Sequence, residues 1–215
     1  MRAGKDNIPQ GPFDQARITA LIRDTRPEGP LALFRPSALI RSAKVFQRGF
    51  PGSVSYAVKA NPRREVLEAL VIAGLDTFDV ASVAEMQEVR DVLPSARLHY
   101  HNPIRSLSEI AQAKAFGIAS WSVDRMSELD KLGALPPNSE IAVRLSLKRS
   151  GGAYDFGTKF GASPELAAAL LTCVAQRGLT PALTFHPGTQ CSDPSSWADY
   201  IAACADIACW AGVRL

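Results

Sequence analysis

Lys59 closes the run Ser55-Tyr56-Ala57-Val58-Lys59-Ala60-Asn61-Pro62, an otherwise apolar stretch cut off by an Asn-Pro pair. An amine in that place does one of two things. Its stem carries the charge out to water, or a pocket holds it, where desolvation lowers its pKa and readies it to add to an aldehyde. Cys173, Cys191, Cys204 and Cys209 form no C-x-x-C pair and have no histidine at zinc spacing, so neither a metal site nor a disulfide framework is expected.

The elements that must position the Lys59 amine read as repeated βα units. Apolar strand candidates recur at Val54 to Lys59, Thr77 to Ser82, Leu98 to Asn102, Ser120 to Val123, Ile141 to Leu145 and Ala182 to His186, each followed by a helical pattern. Helix starts are marked by Ser82 with Glu85 and Ser106 with Glu109, both S-x-x-E capping boxes. Pro62, Pro164 and Pro194 are placed for first helical positions. Ahead of this, residues 1–30 form a lead-in rich in proline and glycine, 31–52 a short strand (Leu31 to Phe34) and a helix, and 53–215 the repeating part.

Strand spacing of about twenty residues fits a parallel (β/α)₈ barrel of the TIM type better than a doubly wound sheet, and no Gly-x-Gly-x-x-Gly follows a strand. Six strands and the start of a seventh are expected, so the barrel is expected to be incomplete at its C-terminal side. With 47% hydrophobic and 21% charged residues the chain is composed like a globular protein, which excludes disorder. The net charge of +3 is scattered rather than gathered into a stripe, so no nucleic acid partner is expected. No apolar run approaches membrane-spanning length and no signal-like segment follows Met1, so a cytoplasmic protein without a membrane partner is expected.

Six motifs then occur in one order: Tyr56-Ala57-Val58-Lys59-Ala60-Asn61, Phe78-Asp79-Val80-Ala81-Ser82, Tyr100-His101-Asn102-Pro103, Val143-Arg144-Leu145, Lys159-Phe160-Gly161 and Phe185-His186-Pro187-Gly188-Thr189. Together they resemble the fold-type III pyridoxal-phosphate decarboxylases, an alanine racemase-like barrel class that includes the ornithine decarboxylases and their lysine, arginine and diaminopimelate relatives. The resemblance implies pyridoxal 5'-phosphate as cofactor, an amino acid as substrate, and a homodimer for the full-length protein. Decarboxylation of L-ornithine to putrescine is the activity it points to first; the alternatives are another amino-acid decarboxylase or a non-catalytic barrel that binds the cofactor.

By that resemblance Lys59 captures the cofactor's aldehyde, Asp79 lies beside it, and Arg144 sits towards the phenolic oxygen. His186 stacks on the ring, Gly188 and Thr189 reach the phosphate, and Lys159 stands near the dimer contact. Glu85 matches a second acid, but its capping position favours a helix-start role. Three residues depart from the pattern: His101 stands where a small residue is usual, Pro187 where an aliphatic one is, and Thr189 where serine is common. The chain ends before the family's glycine-rich phosphate loop, pyridinium partner acid and β domain, so the 215-residue chain made alone is expected to show little or no decarboxylase activity.

Overall fold

The computed structural model describes residues 15–147, 160–188 and 193–215. They divide into two compact units. One holds three helices: α1 (Gln15–Thr25), α2 (Pro36–Gly49) and α3 (Arg64–Ile72). α2 and α3 pack on each other. α2 buries Ile40 and Ala43, and α3 buries Val66, Leu67, Ala69 and Leu70. This division differs from the expected boundaries at 30 and 52, because α3 groups with the earlier helices although it follows the first strand.

One expectation for the N-terminal part is corrected. Leu31 to Phe34 form no strand, and Leu31, Leu33 and Phe34 stay 46%, 43% and 46% exposed. An isolated extended segment gains no ladder partner, and Pro30 and Pro36 bracket it, the latter starting α2 as its first residue. Within the lead-in, Gln15–Thr25 is helical, though none of its side chains is buried.

The second unit is a parallel sheet in sequential order, β1-β2-β3-β4-β5-β6, without the reversal of a doubly wound fold. Its strands are β1 (Tyr56–Ala57), β2 (Thr77–Val80), β3 (Arg97–Tyr100), β4 (Ser120–Val123), β5 (Glu140–Leu145) and β6 (Thr180–Phe185). Helices alternate with them: α4 (Val83–Val92), α5 (Leu107–Ala115), α6 (Met126–Lys131), α7 (Pro164–Gln176) and α8 (Ser195–Ala211). This is the architecture of a (β/α)-barrel, to which the described residues contribute six strands.

Register explains how one sheet carries both a core and a site. Phe78 pairs with Leu98, Tyr100 with Trp121, and Trp121 with Ile141, so from β2 to β5 one row of the sheet is apolar and buried. Helix α4 lies on β2, α6 on β4, and α7 on β5 and β6, covering the sheet with Met86, Leu129, Leu170 and Leu171. Alternate residues point the other way. That second row runs Ala57, Asp79, His99, Ser120 across neighbouring strands, and Arg144 beside Thr184 on β5 and β6.

Helix starts follow the local chemistry with small shifts. Ser106 and Glu109 close a full capping box, and Ser163 caps α7 with Pro164 in its first turn. Ser82 caps α4, but the Glu85 carboxylate turns back one residue further, accepting from the Ala81 N–H at 2.8 Å. Pro62 lies outside α3, whose cap is Arg63, and Asp193 bonds the Ser195 N–H with Pro194 itself in the cap position. No helix among the described residues is long and apolar enough to cross a membrane.

Candidate active site

Lys59 is carried by a turn rather than a strand. The expected strand Val54 to Lys59 shortens to Tyr56–Ala57, and Val58–Ala60 coil into one 3₁₀ turn. The Asn61 N–H donates to the Val58 carbonyl at 3.1 Å, and the Tyr56 hydroxyl donates to the Asn61 carbonyl at 3.3 Å. These two bonds fix the loop that holds the lysine out from the C-terminal end of β1, the end where barrel sites gather. Val58 turns inward and is fully buried.

Lys59, Asp79, His101, Asn102, Arg144 and Phe160 line one open-sided cavity of about 390 Å³, counting the space it shares with solvent. Asp79 is placed by register alone, beside Ala57 on one side and His99 on the other. Burial pushes its carboxyl up to about 6; the positive charges of Lys59 and Arg144 pull the other way, and Glu85 adds to the rise.

His101 continues β3 by one residue and its Nδ1 lies 4.0 Å from Asp79 Oδ1. By distance the two could be an ion pair, but the ring does not carry the charge. Burial, then His99, Arg105 and Arg144, hold its pKa down to about 3, so at neutral pH a neutral imidazole faces the carboxyl.

Arg144 sits at the mouth with its guanidinium 5.4 Å from the centre of the Phe160 ring. That contact is built by the backbone. The Ala162 N–H donates to the Arg144 carbonyl at 2.7 Å, and the Ser146 N–H donates to the Ala162 carbonyl at 3.0 Å. Between them Gly161 adopts φ +118°, and its N–H donates to the buried Asp124 carboxylate at 3.1 Å. A Cβ at Gly161 would lie 2.6 Å from Ser146 Cβ and 2.9 Å from Ser146 N. Gly161→Ala should therefore cost about 2–3 kcal/mol of stability in urea unfolding. A loss below about 0.5 kcal/mol would show that this crossing yields freely.

His186 follows β6 and is exposed; it is not part of the cavity wall. The charges of Arg144 and Lys59 reach it and, after burial, lower its pKa. Its Nδ1 accepts the Gly188 N–H at 3.1 Å, so the proton of the neutral ring is on Nε2. Gly188 is buried with φ +114°, a conformation that favours glycine. Thr189 and Lys159, expected at the phosphate and at a dimer contact, lie outside the described residues.

Sequence reasoning missed two residues that hold this arrangement. Asp124 follows β4 directly, and its position at a strand's C-terminal end was the available signal. Arg105 gave none. It is 3% exposed, and its guanidinium donates to the carbonyls of Tyr100 (3.2 Å), Asn102 (2.8 Å) and Ser122 (2.6 Å). Pairing between β3 and β4 stops at Tyr100 and Trp121, and the arginine bridges the two strands where the ladder ends.

The cavity's donor set fits an anionic aldehyde such as pyridoxal phosphate. It offers one amine, a second cation in Arg144 and, in Asp79, an acid that titrates near neutrality.

Residues 37–210 match the pyridoxal binding domain of the pyridoxal-dependent decarboxylases. The chain is 34% identical over 140 residues to a lysine/ornithine decarboxylase of Selenomonas ruminantium, covering 64% of this chain and 35% of that protein. It is 32% identical over 160 residues to an ornithine decarboxylase of Panagrellus redivivus, covering 72% and 37%. An arginine decarboxylase of Paramecium bursaria Chlorella virus, solved bound to agmatine, shares the fold at a TM-score of 0.81 and 21% identity, over 91% of this chain and 54% of that one. The chain thus spans about a third of the length of these two curated relatives and about half of the solved neighbour.

Proposed function

Since this chain belongs to the pyridoxal-dependent decarboxylases, through their pyridoxal binding domain, we propose that the protein is a pyridoxal-phosphate-dependent carboxy-lyase acting on a basic amino acid, L-ornithine first. The observation that carries the reading is the convergence of the Lys59 amine, the Asp79 carboxyl and the Arg144 guanidinium on one cavity. Relatives named for ornithine and for lysine and ornithine support the substrate class. The bound cofactor supplies a ring that accepts the electron pair left when carbon dioxide departs.

The chain's own residues do the rest. Lys59 would hold the cofactor through its aldehyde, as the one amine on the cavity wall. Asp79, beside it, takes up or returns a proton as that amine changes charge, a task suited to an acid titrating near 6. Arg144 offsets negative charge at the mouth. His186, with its proton on Nε2, presents a ring face and one N–H donor. By the family resemblance, Gly188 and Thr189 would serve the cofactor's phosphate and Lys159 the contact of a homodimer. The product is putrescine, a polyamine precursor, and the compartment the cytoplasm.

Titration with pyridoxal phosphate tests the reading. The chain should develop a visible absorbance band, and L-ornithine should perturb it at a lower concentration than L-lysine or L-arginine. A stronger response to lysine or arginine reassigns the substrate. No band at saturating cofactor overturns the reading.

A further inference from the structure

We propose that His101 is a positioning residue of this site: backed by Ser120 and His99, its ring walls the sheet side of the cavity against water and thereby sets the solvation of the Asp79 carboxyl beside Lys59. Its importance for decarboxylation rests on the function proposed above; the effect on Asp79 does not.

Three contacts fix the ring. Its Nε2 lies 3.0 Å from the hydroxyl of Ser120, a residue with no exposed surface. It stacks on His99 with centroids 5.4 Å apart and planes at 27°. Its Nδ1 faces Asp79 Oδ1 at 4.0 Å, too far for a hydrogen bond and too close for a full water shell around the carboxyl. With a carboxyl at Nδ1 and a hydroxyl at Nε2, the favoured tautomer carries its proton on Nδ1 and accepts the Ser120 O–H at Nε2.

The charged and titratable groups around the pair make protonation of the ring unfavourable. His99, Arg105 and Arg144 act on His101, and burial outweighs each of them. Lys59, Arg144 and Glu85 act on Asp79, where burial again comes first. His99 is itself held below its ordinary value by burial and by Arg97, with Glu140 opposing. The ring therefore acts on Asp79 by excluding water, and not by lending it positive charge.

These two roles predict opposite signs. Removing a neutral wall admits water and makes the carboxylate easier to form, so Asp79 should titrate at lower pH. Removing a positive partner would make it titrate at higher pH. The measurement is the titration of the Asp79 side-chain carbon by NMR in the cofactor-free chain.

The midpoint should fall by about one pH unit in His101→Ala and stay in place in His101→Gln, which keeps a neutral hydrogen-bonding group of similar reach. A midpoint in His101→Ala that rises or does not move overturns the proposal. Should that variant not fold, Ser120→Ala frees the ring from its buried partner; the midpoint should then fall by a smaller amount, and an unmoved one overturns the proposal equally. Cofactor absorbance is read separately. A shifted Asp79 without a band sinks the proposed function alone, and a band without the shift sinks the role of His101 alone.

Discussion

Lys59→Ala is expected to abolish the visible band that pyridoxal phosphate forms with the chain, and to lower any turnover the protein supports by roughly 10⁴-fold or more. The substitution should leave the fold intact. Lys59 is exposed in a 3₁₀ turn held by the Asn61 to Val58 bond and by the Tyr56 hydroxyl, neither of which uses the lysine side chain. Borohydride treatment of the cofactor-bound chain should leave a phosphopyridoxyl group on the peptide carrying Lys59 and on no other. Retention of the band in Lys59→Ala, or reductive labelling of a different lysine, would remove the amine from the role assigned to it. Lys59→Arg is the stringent companion: it keeps the positive charge beside Asp79 but presents no free amine, so the band should still be lost.

Arg105→Ala should produce the largest loss of stability among single side chains at the cavity end of the sheet, about 3–4 kcal/mol in urea unfolding. It strips hydrogen bonds from three carbonyls at once, those of Tyr100, Asn102 and Ser122, in a site where only 3% of the arginine reaches solvent. The guanidinium also lies 5.2 Å and 5.6 Å from the ring centres of Tyr100 and Trp121, contacts an alanine cannot replace. Arg105→Lys should recover only part of the loss, since an ammonium cannot span three carbonyls in a fixed planar fork. Because His101 and Asn102 extend from the strand end that Arg105 secures, cofactor affinity should fall in both variants even where the chain stays folded. A loss under about 1 kcal/mol in Arg105→Ala would mean that water takes over the three carbonyls.

The parts of this fold that are legible in sequence share a physical cause. The strand at Ser120 to Val123 has the bounds expected of it, and those at Ile141 to Leu145 and Ala182 to His186 differ by a residue or two, because each is a β-rich run followed by a marked helix start. The first strand is shorter than its apolar run suggests. Val54 to Val58 is apolar enough for a full strand, yet pairing with β2 covers only Tyr56 and Ala57 before the Asn61 turn closes. Leu31 to Phe34 fails for the complementary reason, an extended apolar segment with no neighbour to complete its ladder.

The candidate site is legible to a different degree. Lys59 can be singled out from its place in an apolar run, but the grouping of Asp79, Arg144 and His186 with it comes from a family resemblance. Periodicity alone leaves each with an ordinary alternative. The bonds from Arg105 to Ser122, from Gly161 to Asp124 and between His101 and Ser120 are beyond its reach, because they join residues 17 or more positions apart. Such contacts depend on which strand lies next to which, and a local pattern of residues does not carry that information.

The bond from the Gly188 N–H to His186 Nδ1 has a further consequence. An imidazole anchored at one nitrogen cannot swing about its Cβ–Cγ bond without stranding its partner, so its rotational freedom is surrendered during folding and not on encounter with a ligand. Whatever docks against that ring meets a surface already set in orientation, and the strength of docking gains by the ordering that no longer has to occur.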